Sequence, residues 1–198
     1  MTTKLCVLIP ALVLATVTLV VAQTTEPVEV RCPSVLGVGV ATDVPFCDVE
    51  VQRDPDLGIL VVLPPHSGEA TLSFNLHNRH IYSEDEERGG RAYAQYVATV
   101  AVATMEGVII ARGVVLSEFR SAADLVDRVR GGAGPQGVKA IAPTGSERLM
   151  VTIPEGIDQV SVVGQTLEVV RVDSRDTVQS IGRTVAVLSG ATVMYRPR

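Results

Sequence analysis

The stretch "EATLSFNLHNR", residues 69–79, decides how this chain is read. Ala70, Leu72, Phe74 and Leu76 take every second position, and Thr71, Ser73, Asn75 and His77 fill the gaps. Side chains alternate across a strand with a period of two, so the segment predicts a β-strand with one face buried and one face polar.

Working outward, the same kind of short run recurs between turn signals. "VLGVGVA" (35–41) and "CDVEVQ" (47–52) flank "TDVPF", and "LGILVVL" (57–63) stops at Pro64-Pro65, which cannot continue a central strand. "AYAQYVATVAVAT" (92–104) and "VIIARGVVLSEF" (108–119) are joined by "MEG", whose third residue suits a three-residue hairpin loop with a bulge. Further runs are "GVKAIAP" (137–143), "RLMVTIP" (148–154), "DQVSVVG" (158–164), "TLEVVRVD" (166–173) and "TVAVLSGATVMYR" (184–196). Gly164-Gln165 is predicted as a two-residue hairpin turn, because glycine in first place fits the turns that match strand twist.

One segment reads as a helix. In "SAADLVDRVRGG" (121–132), Ser121 and Asp124 form a capping box, and Leu125, Val126 and Val129 make an apolar stripe. Arg128 and Arg130 fall in the last turn and Gly131 is a natural stop. Many short strands with one short α-helix near 121–130 predict an all-β, antiparallel β-sandwich, Ig-like or jelly-roll-like. No composition shift divides the chain, so residues 23–198 are expected to form a single domain.

The first 22 residues, "MTTKLCVLIPALVLATVTLVVA", have the layout of a secretory signal peptide. Lys4 supplies the positive start, an uncharged apolar run follows, and Val20 and Ala22 are small residues before a cleavage point at Gln23. An uncleaved anchor is the rival reading, which Pro10, Thr16 and Thr18 weaken. The protein is therefore expected to be periplasmic or extracellular, with no membrane span once the signal is removed. In an oxidising compartment Cys32 and Cys47 read as a disulfide.

Seventeen basic residues stand against 22 acidic, a formal net charge of −5 that deepens by one when Lys4 leaves with the signal. This argues against nucleic acid, which needs a basic face, and against docking on anionic lipid. Lys139 is the one lysine after the signal, so the cations are nearly all arginine.

The candidate chemistry lies in "NLHNRHIYSEDEERGGR" (75–91). His77 and His80, with His66 approaching through the fold, could ligate zinc or copper with help from a carboxylate. Residues three apart on a strand point to opposite faces, so both rings reach one ion only where the strand ends near Asn78. Calcium is the poorer match, since calcium loops alternate their oxygen ligands whereas "SEDEE" is consecutive and its glycines follow. The plainer reading places His77 and Arg79 on the outer face of a strand and makes the acids a solvated turn. Ser83 and Glu86 form a second capping box there, which predicts one helical turn. No cofactor is expected beyond that possible metal ion.

Enzyme signatures are sparse. There is no G-x-S-x-G elbow, and the neighbouring pair His66-Ser67 says nothing, since triad partners meet in space. Unrecognised carboxylates of a small hydrolase remain an alternative, though four Tyr, three Phe and no Trp offer few platforms for sugar. "GGAGPQG" (131–137) lacks the Lys-Ser/Thr ending of a phosphate loop and reads as a connection. The expectation is an exported, non-catalytic structural or protein-interaction module, partnered by another protein or by itself. Its predicted edge or exchange strand is 184–196, with 69–79 second.

Overall fold

A computed structural model describes residues 22–79, 84–130, 138–141 and 146–198. Residues 1–21, 80–83, 131–137 and 142–145, and with them His80 and Ser83, lie outside the described residues.

In chain order the elements are β1 (Thr24–Pro27), β2 (Glu29–Arg31), β3 (Val35–Gly39), β4 (Pro45–Glu50), β5 (Ile59–Val62), β6 (Ala70–His77), α1 (Glu84–Arg88), β7 (Ala94–Thr104) and β8 (Ile109–Phe119). They continue with β9 (Asp127–Arg130), β10 (Val138–Ile141), β11 (Glu147–Ile153), β12 (Gln159–Arg171), β13 (Arg175–Val178) and β14 (Thr184–Tyr195). Among the described residues they form two antiparallel sheets. The first runs β10-β9-β3-β4-β14-β6-β11, with β1 also on β14; the second runs β2-β5-β12-β7-β8, with β13 also on β12.

The inward faces meet as a β-sandwich. Leu72, Phe74 and Leu76 of β6 pack with Val185 and Leu188 of β14 against Val100, Phe119 and Val162 of the second sheet. The alternation in 69–79 thus arises because one side of β6 faces the opposite sheet. The disulfide is present: Cys32, just past β2, joins Cys47 in β4 with Cα atoms 5.8 Å apart, so it ties the second sheet to the first. Closing a loop of this length stabilises by about 3 kcal/mol, mainly by restricting the unfolded chain.

The "MEG" hairpin forms as expected. Thr104 and Val108 pair across it, and Gly107 adopts φ 83°, the left-handed conformation that glycine takes without strain.

Three expectations are corrected. The segment 121–130 is not an α-helix. Its capping box forms, but it closes a single 3₁₀ turn at Ala122–Asp124, and the chain is extended again at Leu125. The following residues obey a period of two, with Asp127 and Val129 buried and Arg128 and Arg130 exposed. Tertiary pairing with β3 and β10 overrides a helical stripe too short to hold itself.

Gly164-Gln165 is not a hairpin turn. β12 runs straight through it, with a bulge between Gly164 and Thr166 against β7. A Cβ at Gly164 would overlap Val185 and the backbone of Glu50, so glycine here serves close packing. Nor is 184–196 an edge. β14 lies inside the first sheet, between β4 and β1 on one side and β6 on the other, and β6 is interior as well.

Candidate functional site

His77 ends β6 on the face of the first sheet that points away from the main core. That face was expected to be solvated, but here it is buried. Leu36, Phe46, Val129 and Val187 form a second, smaller apolar cluster on it, and the ring of Phe46 meets that of His77 edge-on at 5.6 Å. His77 Nε2 bonds Ser189 Oγ at 2.9 Å. Burial lowers its pKa from 6.5 to about 4, so the ring is neutral at physiological pH. Asp48, Val187 and His77 lie side by side across β4, β14 and β6, and Asp48 sits 3.7 Å from Arg79. The Ser189–His77 bond joins the two partners of a nucleophile–base pair. Both residues are buried, however, and a substrate needs access to such a serine.

His66 is buried elsewhere, with Nδ1 2.9 Å from the carbonyl oxygen of Pro64. It precedes β6 whereas His77 ends it, and β6 alone spans about 23 Å at 3.3 Å per residue. The fold does not bring these two rings to one ion, and His80 lies outside the described residues. No group of three His, Cys, Asp or Glu suited to a metal occurs among the described residues.

The acidic run forms the expected single helical turn, α1, and its carboxylates diverge. Asp85 pairs with Arg88, Glu86 takes two bonds from Arg91 at 3.1 and 3.3 Å, and Glu87 faces the amide of Ala122 at 3.4 Å.

Sequence reasoning missed Asn78. Fully buried, it follows β6 and reaches the opposite sheet, donating from Nδ2 to Ser117 Oγ at 2.8 Å, with the carbonyls of Tyr96 and Val115 at 3.3 and 3.4 Å. It links the layers by polar bonds at the end of the core opposite His66.

Beside it the sandwich opens into a cleft of about 670 Å³. Tyr96, Phe119, Leu167 and Val169, all buried, line its interior. Arg79, Arg91, Arg171 and Arg183 also line it, and Glu86 is the one carboxylate among the described lining residues. Burial raises the Tyr96 pKa to about 12 while Arg171 pulls it the other way, so this hydroxyl stays protonated. Glycoside cleavage takes two carboxylates; this cleft offers a single acid, already bonded to Arg91. The four arginines come from positions 79, 91, 171 and 183 and converge only through the fold.

No family model matches the chain, and no curated protein matches it. Among solved structures, the catalytic domain of a GH87 α-1,3-glucanase in complex with nigerose is similar at 10% identity and a TM-score of 0.23, over 89% of this chain and 26% of that one. The T13 IBDV viral particle is similar at 12% identity and a TM-score of 0.19, over 96% of this chain and 40% of that one. The chain therefore spans well under half of either protein. No helix among the described residues is long and apolar enough to cross a membrane.

Proposed function

We propose that the protein is an exported, non-catalytic β-sandwich that serves as a structural or protein-interaction module, and that a second copy joins it edge to edge at β8. The observation that carries this reading is the pattern on the outer face of β8, where Arg112, Val114, Leu116 and Glu118 follow one another. Turned antiparallel about Val115, a second β8 sets Arg112 opposite Glu118 and Val114 opposite Leu116, twice over. Such a two-fold contact pairs opposite charges and apolar side chains at once.

Val114 and Leu116 are 52% and 54% exposed, and among the described residues β8 pairs with β7 alone. Unpaired strand edges recruit strands. In the single chain Arg112 bonds Gln165 at 3.1 Å and Glu118 accepts from Arg120 at 2.8 Å. These surface bonds are worth little individually and can be exchanged across the edge. Export is supported by the signal-like segment 1–22 and by the disulfide between the sheets.

Size-exclusion chromatography with light scattering over a concentration series tests the assembly. A dimer is expected to weaken in Arg112→Glu and to recover in the double swap Arg112→Glu with Glu118→Arg. A monomer throughout, or a dimer indifferent to Arg112→Glu, overturns it. N-terminal sequencing of the exported protein is expected to begin at Gln23; a start at Met1 overturns the cleaved leader.

A further inference from the structure

We propose that the arginine-lined cleft binds a small amphiphilic anion, an apolar body carrying a carboxylate, sulfate or phosphate group. This stands independently of the β8 edge, which lies on another face of β8.

Two chemistries are stacked in this cleft. Its apolar interior is the open end of the core, where Tyr96 and Phe119 of the second sheet stand with Leu167 and Val169 of β12. Its charged lining gathers four guanidinium groups in a chain whose formal net charge is −5. A volume of 670 Å³ falls within the range of small-molecule sites, roughly 300–1,000 Å³.

Three of the arginines already have carboxylate neighbours. Arg91 bonds Glu86, Arg171 bonds Asp176 at 2.7 Å, and Arg79 faces Asp48. Glu86 and Asp176 are about half exposed, at 49% and 61%, so their pairs are screened by water and exchange with an incoming anion at small cost. Arg183 makes no ion pair among the described residues. Its position is fixed all the same, because its amide donates to Ser180 and its carbonyl accepts from Val51. A rigid backbone thus presents a guanidinium at the mouth of an apolar cleft, with Arg171 on the same lining. Planar guanidinium groups hold carboxylate, sulfate and phosphate oxygens in paired hydrogen bonds. The apolar body then lies over Tyr96, Leu167 and Val169, away from water.

The test is isothermal titration of the full chain with decanoate, decyl sulfate and, as a neutral control of equal length, decanol. Saturable binding of the two anions is expected at one site per chain, with decanol weaker by about tenfold or more, the size of one charge-assisted hydrogen bond. Arg183→Glu should weaken decanoate by at least about tenfold, and raising salt from about 0.05 to about 0.5 M should weaken it further. Arg183→Lys keeps the charge but loses the paired donors, so its binding should fall between the parent and Arg183→Glu, and thermal melts confirm that the variants fold. Equal binding of decanol and decanoate, decanoate binding untouched by Arg183→Glu in a folded protein, or no saturable binding at all overturns the proposal.

Discussion

β14 and β8 are nearly the same length, 12 and 11 residues, and both are mostly apolar. One lies inside the first sheet and the other is the margin of the second. β14 is bonded along both sides, by β4 and β1 and by β6, and its side chains reach two apolar clusters, Leu188 in one and Val187 in the other. β8 has one partner strand, and its outward side chains stay half in water. Apolar content within a strand therefore records how greasy it is, while its place in a sheet is decided by what else pairs with it.

That contrast can be broken or sharpened by experiment. The largest effect is expected at the enclosed strand: Leu188→Ala should cost about 2–5 kcal/mol in chemical denaturation, because a fully packed site collapses poorly around a cavity. A cost below about 1 kcal/mol would place Leu188 outside the core.

The next effect concerns the neighbours that fasten β14. Cys47 stands opposite Leu188, and replacing both cysteines by alanine should lower stability by about 3 kcal/mol. An unchanged midpoint would mean that the bridge does not restrain the unfolded chain.

On the other side of β14, His77 holds Ser189 and is kept neutral, its pKa lowered by burial from 6.5 to about 4. Between these values the unfolded chain binds a proton that the folded chain refuses. Stability should therefore fall as pH drops from about 6.5 toward 4, by on the order of 3 kcal/mol at most. His77→Phe removes this dependence, so the stability gap between it and the parent should shrink as pH falls; a gap that stays constant with pH would refute the buried neutral ring. The smallest effect is expected at the margin, where Leu116→Ala should change stability by no more than about 0.5 kcal/mol while weakening the proposed dimer.

What could be read from the residues depended on how far apart the interacting groups lie. β6 was legible because its period of two spans eight residues and needs only one buried face. The "MEG" loop was legible because glycine in that place satisfies a local backbone demand, and the disulfide because, with Cys6 set aside in the signal-like segment, Cys32 and Cys47 have one way to pair. The segment 121–130 misled for a complementary reason. Leu125, Val126 and Val129 fit a helix, but Asp127 is claimed from afar: the amides of Ala41 and Thr42 donate to it, as does the Thr42 hydroxyl at 2.6 Å. Burial pushes its carboxyl up, yet these donors and the amide of Arg128 outweigh that and hold it below the ordinary carboxylate value. Asp127→Ala should therefore cost about 1–3 kcal/mol by removing the charged acceptor that these donors share, whereas a solvated helical aspartate would cost far less.

The site itself was the least legible part. His77 was visible but its surroundings were not, because Phe46 and Ser189 reach it from distant parts of the chain. The cleft's arginines were hidden within a general preference for arginine over lysine.

The chain has no tryptophan and four tyrosines, and two of these, Tyr93 and Tyr96, line the cleft. Among the described residues, two of the three tyrosines therefore look into that one opening. Their fluorescence, undimmed by any indole acceptor, gives the protein a built-in optical gauge of what enters there.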